Sequence, residues 1–459
     1  MPGLLYLLTA IAGICLFSTG CTNLQQPTEP YQLPPPPENV HLAAKLQPGD
    51  IRTPADKKEF STSAPLTLTE ARQLVKQHSP ALAGAWHAIQ VQSALQRQAG
   101  LTLNPEFSAE LEEFAGSGEF SGIDNASAKV GLSQEILTGA KQKMTLQAAG
   151  VELASSLCSY RSLLNELALQ VETRFYAVYF LQEELKLKCE RLELLEETGG
   201  IIRKQVNAGE RSPLDLLKQQ AEQTAAVLSV KKTRRQLLEA QATLASTWGE
   251  QPSGPLTVAS EWQKIPPLSI EILQNALKTS PAWQNSQIEI SRADAALAIE
   301  QSRTYPNVEV EGGFQHFREN DNWALFVGVS MPLPIFDRNQ GNIAAAQAKL
   351  QQVQAETAAR DLELQHALRS AWQNWQNAEA ALNDLEQECL PAAKQYHDAI
   401  FTAYQAGEAD ILELFDSRHN WLAKREELLE LKQECETNRL ELMALLGLND
   451  LNELTRNKE

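Results

Sequence analysis

The chain is written twice. Leu66-Thr67-Leu68-Thr69-Glu70-Ala71, followed by Ser79-Pro80, returns as Leu268-Ser269-Ile270-Glu271-Ile272, followed by Ser280-Pro281. Asn104-Pro105 returns as Tyr305-Pro306, and Val130-Gly131-Leu132-Ser133 as Val327-Gly328-Val329-Ser330. Ala208-Gly209-Glu210 with Leu214 returns as Ala406-Gly407-Glu408 with Leu412. The order is kept and the offset stays at about 200 residues, the signature of an internal duplication. Whatever one half folds into, the other half folds into as well.

Each half reads as a helix, two strands, a very long helix and a returning helix. The first helix is expected at residues 70 to about 103, and at 269 to about 304 in the second half. The long helices are expected at about 140–207 and 342–405, and the returning ones at 213–248 and 410–446. Leu364, Leu368, Ala371, Trp375, Ala378, Leu382, Leu385 and Cys389 follow an unbroken 4-3-4-3 spacing, as do Leu153, Leu157, Tyr160, Leu164, Leu167 and Val171. That is a coiled-coil seam, and it predicts Cys389 as a small buried residue. At 1.5 Å per residue each long helix reaches roughly 100 Å. Pro391 should disrupt the second one locally. Gly209 and Gly407 suit the left-handed position that ends a helix, and Pro213 suits a helix start.

Between the helices, apolar and polar residues alternate. Phe107, Ala109 and Leu111 alternate with Ser108, Glu110 and Glu112. Val308, Val310, Gly312 and Phe314 alternate with Glu309, Glu311, Gly313 and Gln315, while Trp323, Leu325, Val327, Val329 and Met331 share one face. Two structures carry this period, a transmembrane β-barrel wall and a half-buried soluble sheet. Four strands cannot close a barrel, and open edges are not tolerated in lipid, so a barrel requires several chains. Residues 115–125 and 317–322 read as loops, and Pro332-Leu333-Pro334 marks the exit from the last strand.

The amino terminus has no charged side chain in its first twenty residues, and its apolar run at 4–17 is too short to span a bilayer. It reads as a signal peptide. Ser18-Thr19-Gly20 before Cys21 resembles a bacterial lipobox, with Cys21 as the lipidated first mature residue; an ordinary signal peptide with an incidental cysteine is the other reading. Residues 22–64 are polar and proline-rich, with Pro34 to Pro37 in a row, and read as a tether. The division is then a signal peptide at 1–20, a lipidated tether at 21–64, a first repeat at 65–262, a second at 263–448 and a tail at 449–459.

A net charge of -18 argues against a nucleic-acid surface, which needs clustered Lys and Arg. The seven histidines are scattered with no His-x-x-x-His pair, and no phosphate-binding glycine loop or nucleophile elbow occurs. Neither an enzyme nor a resident cofactor or metal is expected. Four Met residues, Met1 included, give no support to a methionine relay for copper.

Together these features resemble the TolC-like outer-membrane efflux proteins. The residues that carry the resemblance are Asn104-Pro105-Glu106, Gly131-Leu132-Ser133-Gln134 and Tyr404-Gln405-Ala406-Gly407-Glu408. The run Pro332-Leu333-Pro334-Ile335-Phe336-Asp337-Arg338-Asn339-Gln340-Gly341-Asn342 is similar to the Czc-type branch, outer-membrane partners of heavy-metal cation exporters. The resemblance implies a mainly α fold with a small β part. Duplicated antiparallel coiled-coil hairpins would form a periplasmic α-barrel, and four strands per chain would enter a trimeric transmembrane β-barrel. It also implies a homotrimer in the outer-membrane lipid, a periplasmic adaptor and an inner-membrane resistance-nodulation-division pump. Gly209, Gly407 and Tyr404 match the periplasmic tips where the adaptor is met. Asp215, Glu413 and Glu408 are candidate gate acids, with solvated helix starts as the alternative; Ala409 stands where some relatives carry a basic gate residue. Glu110, Glu112, Glu309 and Glu311 are candidate lumen acids, either selecting cations or merely keeping the duct wet.

Three functions are consistent with these residues: an exit duct for divalent heavy-metal cations, the same duct for drugs or secreted proteins, and a periplasmic coiled-coil scaffold with no pore.

Overall fold

A computed structural model describes residues 65–249, 256–259, 262, 268–448 and 451. The leader, Cys21, the tether and all of the tail but Leu451 lie outside the described residues. In each half the expected first helix is two helices: α1 (Leu68–His78) and α2 (Pro80–Ala99), then α5 (Ile270–Leu277) and α6 (Pro281–Ser302). The break has a simple cause. Proline has no N–H to continue the ladder and pushes the residue before it to an extended conformation, as at Ser79 and Ser280. A capping box starts α1, in which the Thr67 hydroxyl accepts from Glu70 N and Thr67 N donates to the Glu70 carboxylate.

The long helix α3 (Lys141–Asn207) runs unbroken for 67 residues, about 100 Å at the helical rise. Helix α4 (Pro213–Ser246) returns along its second half, while α1 and α2 flank its first half. The second repeat repeats this plan with α7 (Gln340–Asp384), α8 (Leu390–Gln405) and α9 (Ile411–Leu446). Helices α6 and α9 also pack on α3, so the repeats share one helical body. Their cores correspond: Val171, Phe175 and Val178 with Leu244 and Trp248 in one, Leu368, Ala371 and Trp375 with Leu442 and Leu446 in the other.

Between α7 and α8 lies a π turn, Leu385–Cys389, in which Leu390 N–H donates to Leu385 O, five residues back. It is how the helix absorbs Pro391, whose ring would otherwise meet a carbonyl of the preceding turn. The extra residue also corrects the expected seam. After Leu382 and Leu385 the inward positions are Leu390, Ala393, His397 and Ile400, one place later than the heptad predicts. Cys389 is therefore exposed rather than buried.

The four strands β1 (Glu106–Glu112), β2 (Ser127–Ile136), β3 (Val308–Phe317) and β4 (Asn322–Ser330) form one antiparallel sheet in the order β1-β2-β3-β4. Strands β2 and β3 come from different repeats, so their pairing from Ser127↔Phe317 to Ile136↔Val308 joins the halves.

One charged cluster is buried where the halves meet. Glu172 of α3 is 2% exposed and pairs with Arg72 of α1 and Arg439 of α9. Arg439 also grips Glu436, its Nε lying 3.1 Å from both carboxylate oxygens, and covers the Tyr176 ring. Burial pushes the Glu436 carboxyl upward against the opposing pull of Arg439, and pushes the Tyr176 phenol up to about 12.

Candidate functional site

Register turns the alternation of the strands into two faces. Residues paired across antiparallel strands point the same way, so Phe107, Leu132, Gly312 and Val327 lie in one row, and Ala109, Val130, Phe314 and Leu325 in the next. On this face Phe107 and Trp323 are each 70% exposed and Val327 is 78% exposed. A contiguous apolar surface of this kind marks an interface with lipid or another protein. It ends at Trp323, whose ring packs against His316, while His316 Nε2 and the Asp321 carboxylate stand 2.9 Å apart.

The opposite face is polar and strongly acidic in two rows. Nearest the helices, Glu135 stands beside Glu309 and Ser330, and the next row holds Glu106, Ser133, Glu311 and Gly328. Asn307 donates to Glu135 at 2.6 Å and Ser330 to Glu309 at 3.4 Å. In the third row Phe326 lies flat across Gly131 and Gly313, and Lys129 sits 4.5 Å from its ring centre. Glu110 pairs across from Lys129 in the fourth row, and Glu112 across from Ser127 in the fifth. The four expected acids thus share a face but not a height: Glu309 and Glu311 lie by the helices, Glu110 faces a lysine, and Glu112 borders the outer loop. Glu106 and Glu135 join Glu309 and Glu311 through the register between strands, which alternation within one strand does not reveal.

At the far end of the hairpins, both turns close with the same hydrogen bonds. Gly209 N donates to Val206 O at 3.0 Å and Glu210 N to Gln205 O at 2.9 Å; Gly407 N donates to Tyr404 O at 3.0 Å and Glu408 N to Ala403 O at 2.8 Å. These are Schellman motifs. Gly209 and Gly407 have φ of 78° and 79°, and a Cβ on either would meet nothing within 4 Å. Glycine is there for its backbone freedom, not for space. Asp215 and Glu413 each lie in the first turn of the following helix, where a negative charge complements the helix dipole. Ser212 and Asp410 cap those helices.

The two hairpins are held side by side by ion pairs between distant residues. Arg425 meets Glu190 at 2.5 Å, Arg418 meets Glu197 at 3.3 Å, and Arg191 meets Glu426 at 3.5 Å. At the tips Arg211 reaches Asp410 at 3.6 Å. Each pair is partly exposed and is worth about 0–1 kcal/mol, so the ladder fixes register more than it adds stability. Local sequence gives no sign of these partners, although the seven-residue step from Glu190 to Glu197 matches that from Arg418 to Arg425. Among the described residues no helix is long and apolar enough to cross a membrane.

The family model "Outer membrane efflux protein" matches residues 71–250 and 272–448. Among curated proteins, the chain is 27% identical over 383 residues to the cobalt-zinc-cadmium resistance protein CzcC of Cupriavidus metallidurans, covering 83% of this chain and 90% of that one. It is 25% identical over 438 residues to Protein CyaE of Bordetella pertussis, covering 90% and 89%. Among solved structures, the outer-membrane channel OprN superposes with a TM-score of 0.68 at 16% identity, covering 85% and 94%.

Proposed function

Since this chain belongs to the outer membrane efflux protein family, we propose that it is the exit duct for divalent heavy-metal cations. It is an outer-membrane channel of the TolC type that extends into the periplasm, and the family is not enzymatic. A scaffold without a pore is thereby set aside. Channels of this family form trimers in tripartite pumps. The partners proposed here are a periplasmic adaptor, seated at the tips around Gly209, Gly407 and Tyr404, and an inner-membrane resistance-nodulation-division pump. Asp215, Glu408 and Glu413 are proposed to line the periplasmic gate, and Cys21 to carry the lipid that anchors the chain to the outer membrane.

The observation that carries the cargo is the pair of acidic rows on the polar face. With that face toward the lumen, Glu106, Glu135, Glu309 and Glu311 gather negative charge at the entrance to the membrane section, and Glu110 and Glu112 add to it further out. Such a field raises the local concentration of cations and opposes anions. Similarity to CzcC over most of both chains favours heavy-metal ions among the cations.

A deletion strain challenged with zinc, cobalt, cadmium, nickel, copper and common drugs tests this reading. The expected result is sensitivity to one or more divalent metals, reversed by the intact gene. Sensitivity to drugs alone would overturn the metal assignment.

A further inference from the structure

The run from Pro332 to Asn342 is more than a family marker, because its two halves do different work. Its polar half is spent on itself. Asp337 Oδ1 accepts from Asn339 N at 2.8 Å, Gln340 Oε1 accepts from Arg338 N at 2.8 Å, and Arg338 Nε donates to Pro334 O at 3.3 Å. Asn339, at φ 60°, donates to both the backbone and the carboxylate of Glu300 at 2.8 Å, which ties the segment to the end of α6. The apolar side chains of the other half are left uncovered: Leu333 is 68% exposed, Ile335 62% and Phe336 92%. A segment this well braced holds three large apolar side chains outward.

Their place follows from the strand before them. Trp323, Leu325, Val327 and Val329 share the apolar face of β4, which ends at Ser330; beyond it the chain turns at Pro334, where Ile335 N donates to Leu333 O at 2.8 Å, and Leu333, Ile335 and Phe336 stand exposed. The hydrogen-bonded part is too short for its task. Six residue steps from Trp323 to Val329 cover about 20 Å along the strand, which a tilt of about 40° reduces to roughly 15 Å along the membrane normal. The apolar band of an outer-membrane barrel is about 25 Å tall. The shortfall of roughly 10 Å lies beyond Val329, where Met331, Leu333, Ile335 and Phe336 are exposed. The other strands show the same excess at this end, with Leu101 and Leu103 before β1 and Ile136 closing β2 all exposed. A neighbouring copy would pair with β4, which ends at Ser330, so its strand would not cover the segment that follows.

We propose that residues 332–338 form a lipid-interface anchor. Leu333, Ile335 and Phe336 enter the boundary between acyl chains and headgroups in the periplasmic leaflet, and the exposed Arg338 lies level with the lipid phosphates. The anchor fixes the depth at which sheet gives way to helices. It rests on the sheet being the membrane wall and is independent of the cargo.

The test uses the full chain with Cys189→Ser and Cys389→Ser, reconstituted as the trimer in phosphatidylethanolamine–phosphatidylglycerol vesicles. Phe336→Cys carries an environment-sensitive fluorophore, read against the parent without the added cysteine. Lipids spin-labelled at graded depths should quench it most strongly at about 5–10 Å below the headgroups, with aqueous iodide quenching weakly. Leu325→Cys should be quenched from the bilayer centre, and Lys232→Cys on α4 by iodide alone. Iodide quenching of Phe336→Cys equal to that of Lys232→Cys would overturn the anchor, as would protection from every quencher, which would mean that protein covers it. Should Phe336→Cys fail to give trimer, Leu333→Cys carries the same test. Loss of deep quenching at Leu325→Cys would instead overturn the membrane wall itself.

Discussion

Arg439→Met should destabilise the helical body by about 3–5 kcal/mol, the cost of leaving a buried charge without its partner. Arg439 is the shared cation of Glu172 and Glu436, both under 5% exposed, and among the described residues no other cation pairs with Glu436. Arg72 would still face Glu172, so the larger penalty falls on Glu436. The pH dependence gives the prediction its sign. A carboxyl whose folded pKa lies above its unfolded value favours the folded state most at low pH, and that contribution is lost as pH rises through the folded value. Burial already raises Glu436, and removing Arg439 raises it further. The deficit should therefore be largest near neutral pH and shrink as pH falls toward the ordinary carboxylate range. Denaturant unfolding of the detergent-solubilised channel, followed by helical circular dichroism at several pH values, measures it. A deficit below about 1 kcal/mol, or one that does not change with pH, would mean that the cluster is not an essential tie between the repeats.

The second large effect is expected at Gly313. A Cβ there would lie 2.7 Å from Gly131 Cα and 2.8 Å from Phe326 Cε1, and would also collide with the Val130 carbonyl oxygen. Two of these obstacles are backbone atoms of β2, so Gly313→Ala forces β2 and β3 apart along the pairing that joins the repeats within the sheet. Overpacking usually costs about 1–3 kcal/mol where side chains can yield, and backbone yields less. Heat-resistant trimer recovered from outer membranes should fall on the order of tenfold or more. Gly312→Ala is the control, since its Cβ would project from the opposite face with its nearest neighbour, Phe326 O, at 3.7 Å. Equal trimer yields from both variants would show that Phe326 and the β2 backbone do not constrain the wall.

Much of this architecture is legible in the sequence because its causes are local. The duplication, the heptad seam and the alternation of the strands are each written in the spacing of a few neighbouring residues, and Gly209 and Gly407 announce their turns. The Ser-Pro steps at 79–80 and 280–281 are also local, since the physics of proline implies a helix break at each. What was not legible depends on pairing at a distance. Cys389 left the seam because one π turn upstream of Pro391 added a residue to the register, and a heptad count cannot foresee where a helix will absorb a proline. Alternation places Glu309 on the polar face but cannot show that Glu135 stands beside it, or that Lys129 faces Glu110. The ion pairs from Glu190 to Arg425 and from Arg211 to Asp410 span about half the chain, and their partners are fixed by the packing of α9 on α3.

We propose that three copies of this chain form an aqueous duct whose acidic rows favour cations. The most direct measurement is the reversal potential of the purified trimer in a planar bilayer under a salt gradient. A clear preference for cations is expected, reduced when Glu309→Gln and Glu311→Gln are combined and reduced further when Glu106→Gln and Glu135→Gln are added. A channel with no preference, or one whose preference is unchanged by all four substitutions, would contradict it.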